Sequence, residues 1–142
     1  MNQYYDKAAL KVKNVSPRQW QRLTDFIPQL EKGNYGDSSR IEQQKNSGNV
    51  MPYVKYSNVV LKFIEQCYEA EIVISFNWNG WLQEEKIFEN QKSFIQQADL
   101  AQCAMLLTAH IHREHSCDGH LFNALEDGSI LHILKRIEAL LN

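Results

Sequence analysis

"DLAQCAMLLTAHIHREHSCDGHL", residues 99–121, decides how the chain is read. Asp99 is a natural helix cap, and Leu100, Ala104, Leu107 and Ile111 recur behind it at helical spacing. The stretch therefore starts as an amphipathic helix. From Ala109 to Leu121 it then places four histidines and one cysteine in thirteen positions, which raises the question of a metal site.

Zinc needs ligands that converge on one point, commonly in pairs three or four residues apart on a helix. At about 100° per residue, His110 and His112 lie on nearly opposite sides of a helix and cannot share an ion. His112 and His115 differ by only about 60°, and Cys117 and His120 could fold back across a turn to complete three nitrogens and one sulfur. The simpler reading is a helix end, a turn and a second helix start. His112 is then solvent-exposed, His110 lays its ring on the edge of the core with its tip in water, and His132 points away from the last helix's apolar stripe. We expect this second arrangement and no metal cofactor; zinc held by His112, His115, Cys117 and His120 is the alternative. Cys117 near His115 and His120 also suggests a nucleophile and base, but proximity in sequence does not establish the geometry. Asp118, or the residues just before it, is read as the start of the helix "GHLFNALED". Arg113 is expected to bond locally to Glu114 and Asp118, with an anion clamp as its functional alternative.

Outward from this stretch the chain continues to read as helices. In "SPRQWQRLTDFIPQLEKGN" Ser16 caps, Pro17 suits the first helical position, and Trp20, Leu23, Ile27 and Leu30 share a face. Pro28 cannot donate to the carbonyl of Thr24, so a kink or break is expected there. Ser57 caps a helix burying Val59, Val60, Phe63, Ile64 and Cys67. "NWNGWLQEEKIFEN" reads as a helix opening at Asn79, with Trp81, Leu82 and Phe88 as its apolar members. Ser129 caps a last helix carrying Ile130, Leu134, Ile137 and Leu141. "VMPYVKYS", residues 50–57, alternates and is read as extended, and "EIVISF" as a short strand that would pair with residues 50–56. Residues 33–49 have no apolar period and form a long polar connection. The expected fold is mainly α: one domain over residues 1–142, with five or six short helices and at most one small extended element.

The bulk numbers agree. The chain of 142 residues is 44% hydrophobic and 23% charged, with a net charge of −2 and five histidines uncounted. No global field draws it to nucleic acid or an anionic membrane. Lys7, Lys11, Lys13, Arg18 and Arg22 face only Asp6 in the first 22 residues, whereas six glutamates from Glu65 to Glu89 face only Lys86. We read these as two solvated faces. Three cysteines at unrelated spacings make no disulfide framework, and Cys67 and Cys103 are read as core residues. No apolar run reaches membrane-spanning length, and "MNQYYDKAAL" lacks the apolar segment of a signal peptide, so a cytoplasmic protein is expected.

"FNWNGW" brings Phe76, Trp78 and Trp81 together, with Tyr53 and Tyr56 expected nearby. Buried, this set is the lid of a helical core, the reading we favour. Exposed, it stacks on a nucleobase or anchors a partner. The binding candidates are then Tyr53, Tyr56, Asn77, Trp78, Trp81, Arg113 and Asp118. No G-x-x-x-x-G-K-[ST], G-x-S-x-G or H-E-x-x-H motif occurs.

Two stretches carry a resemblance. "MPYVKYSNVVLKFIEQCYEAEIVISFNWNGW" and "LLTAHIHREHSCDGHLFNALEDGSILHILKRI" resemble a small uncharacterised bacterial domain family, domain of unknown function 6508. Its pattern has a Pro and a Tyr-Ser before a helix, then Phe-Asp-Trp-x-x-Trp. An arginine ahead of an Arg-Phe-Cys-Glu-Gly turn follows, and last a Gly with a leucine-rich helix. These fall on Pro52, Tyr56, Ser57, Phe76, Trp78, Trp81, Arg113, Cys117, Gly119 and Gly128. Asn77 stands in place of the Asp, His115-Ser116 in place of Arg-Phe, and Asp118 in place of Glu. The resemblance covers roughly the last two thirds of the chain. It implies a helical fold and no assigned activity, and a catalytic role for the family's Asp would be missing here.

The functional expectation is a small interaction or regulatory domain that acts by binding a partner protein and is not an enzyme. By analogy alone, small chains of this type include phage or mobile-element proteins. The rivals are a metal-dependent protein using the histidine cluster, and nucleic-acid binding through the basic N-terminal segment. A second copy of the chain is left open as a partner.

Overall fold

The structure is a computed structural model that describes residues 3–37 and 54–142. Its helices are α1 (Gln3–Val12), α2 (Pro17–Thr24), α3 (Ile27–Glu31), α4 (Asn58–Glu69), α5 (Trp78–Glu84), α6 (Gln91–Gln97), α7 (Leu100–Ser116), α8 (His120–Glu126) and α9 (Ser129–Leu141). A 3₁₀ turn, Phe88–Asn90, precedes α6. Two short strands, β1 (Gly36–Asp37) and β2 (Lys55–Tyr56), pair antiparallel, Gly36 with Tyr56 and Asp37 with Lys55. The class is mainly α, with more and shorter helices than the five or six expected.

The helix that opens at Asp99 is the centre. Every residue of α7 from Cys103 to Ile111 is buried, so it is enclosed on all sides and not packed along one stripe. Its start is a reciprocal capping box: Asp99 Oδ1 accepts the Gln102 N–H at 2.9 Å, and Gln102 Oε1 accepts the Asp99 N–H at 2.9 Å. Helices α1, α5 and α8 pack on α7, while α2, α3, α6 and α8 pack on α9, which also touches α7. Helix α4 rests on α2 and α3. The buried residues join in one cluster that runs from Ala8 to Ile137.

Helix α1 is missing from the sequence-based expectation. Only Ala8 and Val12 are fully buried in it, with Tyr4, Tyr5 and Ala9 packed on the core edge. It is tied down by Tyr5, whose hydroxyl donates to the capping carboxylate of Asp99. One acid thus ends the central helix and holds the first.

The expected break at Pro28 is present. Helix α2 stops at Thr24 and α3 resumes at Ile27, with Pro28 in its first turn. Ser16 and Ser57 cap α2 and α4 as expected. Three boundaries differ. Asn77, not Asn79, begins α5, its side-chain oxygen accepting the Gly80 N–H at 3.0 Å. Phe88 lies beyond that helix, in the 3₁₀ turn. Ser129 is the first residue of α9 and not its cap; its N–H and hydroxyl both donate to Asp127 Oδ1, at 2.8 and 2.6 Å.

Among the described residues "EIVISF" is not a strand and does not pair with β2. Ile72, Ile74 and Phe76 are buried, so its alternation is real. Its backbone bonds to two helices instead: the Ile72 and Val73 N–H groups donate to the Cys67 carbonyl, while Thr108 Oγ1 accepts the Ile74 N–H at 3.0 Å and donates to the Ile72 carbonyl at 3.3 Å. The strand that does pair with β2 comes from the polar connection, through Gly36. Gly36 has φ +136°, and a Cβ there would meet the Lys55 carbonyl oxygen at 2.3 Å. Residues 38–49 of that connection, with Pro52 and Tyr53, lie outside the described residues.

Candidate functional site

The C-terminal half of α7 separates its histidines onto different surfaces. His110 is buried, 2% exposed, where the core edge and a wet tip were expected. Its ring meets His120 from the start of α8, with His110 Nδ1 3.0 Å from His120 Nε2. Centroids 5.1 Å apart and planes 17° from parallel place the two imidazoles edge to edge. On its other side His110 Nε2 is 2.6 Å from Gln91 Oε1 on α6. Phe88 stacks on both rings, at 4.9 and 5.5 Å between centroids.

The proton positions in this row follow from its partners. Gln91 presents its oxygen to His110, so His110 Nε2 carries the proton and donates. Burial, then the neighbouring His120 and Arg113 charges, push the His110 pKa down to about 3, so the ring is neutral and its Nδ1 is an acceptor. His120 Nε2 therefore donates to it. At the other end the Gln91 amide NH₂ donates to Ser129 Oγ at 3.4 Å, and that hydroxyl donates to Asp127 Oδ1. Every donor points toward Asp127, which leaves His120 Nδ1 as the nitrogen bearing a lone pair.

His120 is carried to this place by a second acid. Glu114, near the end of α7, accepts the Leu121 N–H at 2.9 Å through one oxygen and the Gly119 N–H at 3.2 Å through the other. It caps α8, the role expected of Asp118, which lies exposed. Gly119 makes the turn with φ +87°, a conformation that favours glycine. Tyr56 joins the same junction: its hydroxyl is bonded to Glu114 and accepts the Phe122 N–H at 3.0 Å. Burial and the Glu114 carboxylate hold this phenol well above its usual range.

The other sequence candidates fall as follows. His112 is half-buried, not free in solvent, and stacks on Trp78 with 6.1 Å between centroids and 11° between planes. His115 meets His112 edge-on at 5.8 Å. Cys117 is exposed. Since His120 faces His110 and His112 faces Trp78, the four proposed metal ligands do not converge. Among the described residues no three His, Cys, Asp or Glu side chains are placed to share an ion. Trp81, at 1% exposed, belongs to the core. Asn77 is a helix cap, and Arg113 lies with Cζ 5.8 Å from the Phe88 centroid, not on Asp118.

Beside the histidine row runs a groove of about 780 Å³ between residues 88–95 and 127–135. Phe88, Ile95 and Leu131 give it apolar walls, and Gln91, Ser129 and Asp127, the far end of the hydrogen-bond chain, also line it. Among the described residues no helix is long and apolar enough to cross a membrane.

No curated protein and no solved structure matches the chain. The model of a family of unknown function, DUF6508, matches residues 15–142, which extends the resemblance toward the N-terminus through α2 and α3 and as far as the chain end. With all but the first fourteen residues matched, the chain belongs to this family.

Proposed function

We propose that the protein is a small interaction domain that binds a segment of a partner protein in the groove between residues 88–95 and 127–135. The groove itself carries this reading. Its size falls within the about 300–1,000 Å³ typical of built ligand sites, and its walls mix apolar surface with fixed polar groups. Gln91, Ser129 and Asp127 are preorganised by their mutual hydrogen bonds, so ordering them costs little when a partner arrives. Lys92 and Lys135 supply cationic groups along the rim, although Lys135 already pairs with Glu31 at 3.2 Å. The near-neutral charge of the whole chain makes a protein a better fit than a nucleic acid. A cytoplasmic site of action is part of the same proposal.

Site-specific photo-crosslinking tests it. A crosslinking residue at Leu131 is expected to capture a defined partner, and the same residue at exposed Leu61, on a helix that does not line the groove, is expected not to. Equal capture from both positions, or capture from Leu61 alone, contradicts the assignment of the groove.

A further inference from the structure

Three side chains border the Phe88 ring: His110 and His120 stacked against it, and Arg113 with its guanidinium carbon 5.8 Å from the centroid. Arg113 is half-buried and, among the described residues, its guanidinium has neither an ion-pair nor a hydrogen-bond partner. A partly desolvated guanidinium without an acceptor is costly, and its planar fork suits a carboxylate or phosphate. Arg113 also acts electrostatically on His120, and the directed chain from Asp127 through Ser129, Gln91 and His110 leaves His120 Nδ1 unprotonated.

We propose that Arg113 and His120 form an oxyanion-binding site that takes a phosphate or carboxylate group and one proton together. The ligand oxygen sits against the Arg113 guanidinium, and a proton from solvent or from the ligand's acid form settles on His120 Nδ1, which then donates to the anion. His110 makes this feasible: its neutral Nδ1 accepts from His120 Nε2, so the imidazolium is hydrogen-bonded on both sides. The groups facing His120 are His110 and Arg113 from α7 and Asp127 from the turn before α9. Burial and Arg113 hold the His120 pKa down and Asp127 raises it; an anion beside Arg113 removes the main opposing charge. The site shares Phe88 with the groove but does not depend on partner binding there.

The test is long-range ¹⁵N–¹H NMR of the imidazoles in the intact chain near neutral pH, titrated with inorganic phosphate in one arm and acetate in the other. The expected result is saturable protonation of His120 Nδ1 with His110 still neutral. Arg113→Met, which keeps the stem against Phe88, should weaken the effect by about tenfold or more without altering the ligand-free histidine pattern. Stronger response to phosphate assigns a phosphoryl ligand, and stronger response to acetate a carboxylate. A His120 signal indifferent to both anions, or an unchanged affinity in Arg113→Met, overturns the proposal.

Discussion

Lowering the pH from 6.5 to 4.5 is expected to remove about 2 kcal/mol of stability through His110 alone, a component absent in His110→Asn. The folded ring resists protonation until about pH 3, against an ordinary value of 6.5. Below 6.5 the unfolded chain gains a proton that the folded chain refuses, so the unfolded state is favoured and stability falls with pH. Each pH unit within that window is worth about 1.4 kcal/mol for one fully buried group. His120 is shifted in the same direction and adds to the effect, but it is half-buried and contributes less. The measurement is urea unfolding of both proteins across this range. The difference in their unfolding free energies should shrink steadily as the pH falls, and a constant difference would mean that His110 titrates alike in both states.

Trp81→Ala should cost about 3–5 kcal/mol, a large share of the roughly 5–15 kcal/mol that holds a domain of this size. Trp81 lies 1% exposed between Phe76 and Phe94, each edge-on at 5.7 Å. Truncation removes the ring and leaves a cavity that α5 and α7 cannot close, since their backbones are fixed by caps at Asn77 and Asp99. Trp78→Ala, only three residues earlier, removes a half-buried ring stacked on His112 and should cost clearly less. Chemical denaturation of the two variants separates a core tryptophan from a surface one. Equal losses would contradict the division of this pair.

The parts of the fold that were legible in the sequence are those specified within a few residues. Ser16, Ser57 and Asp99 cap their helices because a side-chain oxygen needs only the N–H three residues ahead. Pro28 breaks its helix for an equally local reason. What escaped depends on distant partners. "EIVISF" alternates as a strand does, but the Ile72 carbonyl and the Ile74 N–H bond to Thr108, more than thirty residues on. Helix α1 has a polar composition and only two fully buried side chains, and it is held by Tyr5 reaching Asp99.

The site divides in the same way. The sequence showed that His110 and His112 must part company, since about 200° separates them around a helix. It did not show that His110 would be buried, because the partner that satisfies its Nε2 is Gln91, a residue with no distinguishing neighbours. Nor did it show Glu114 doing the capping expected of Asp118. Glu114 reaches forward across the turn only because Gly119 adopts a left-handed conformation there. Tyr56 came out as a support of that junction. The histidine-rich run is thus a helix end and a helix start, as its caps and glycine suggested. His110 and His120 pair against the core, and His112 stacks on Trp78.

The most direct test of this account is an NMR pH titration of the His110 ring in the intact chain, following both ring nitrogens. The account predicts a neutral imidazole with its proton on Nε2 and no midpoint until about pH 3. A midpoint near the ordinary 6.5, or a proton resident on Nδ1, would contradict the buried chain from Asp127 to His120 and the oxyanion site built on it.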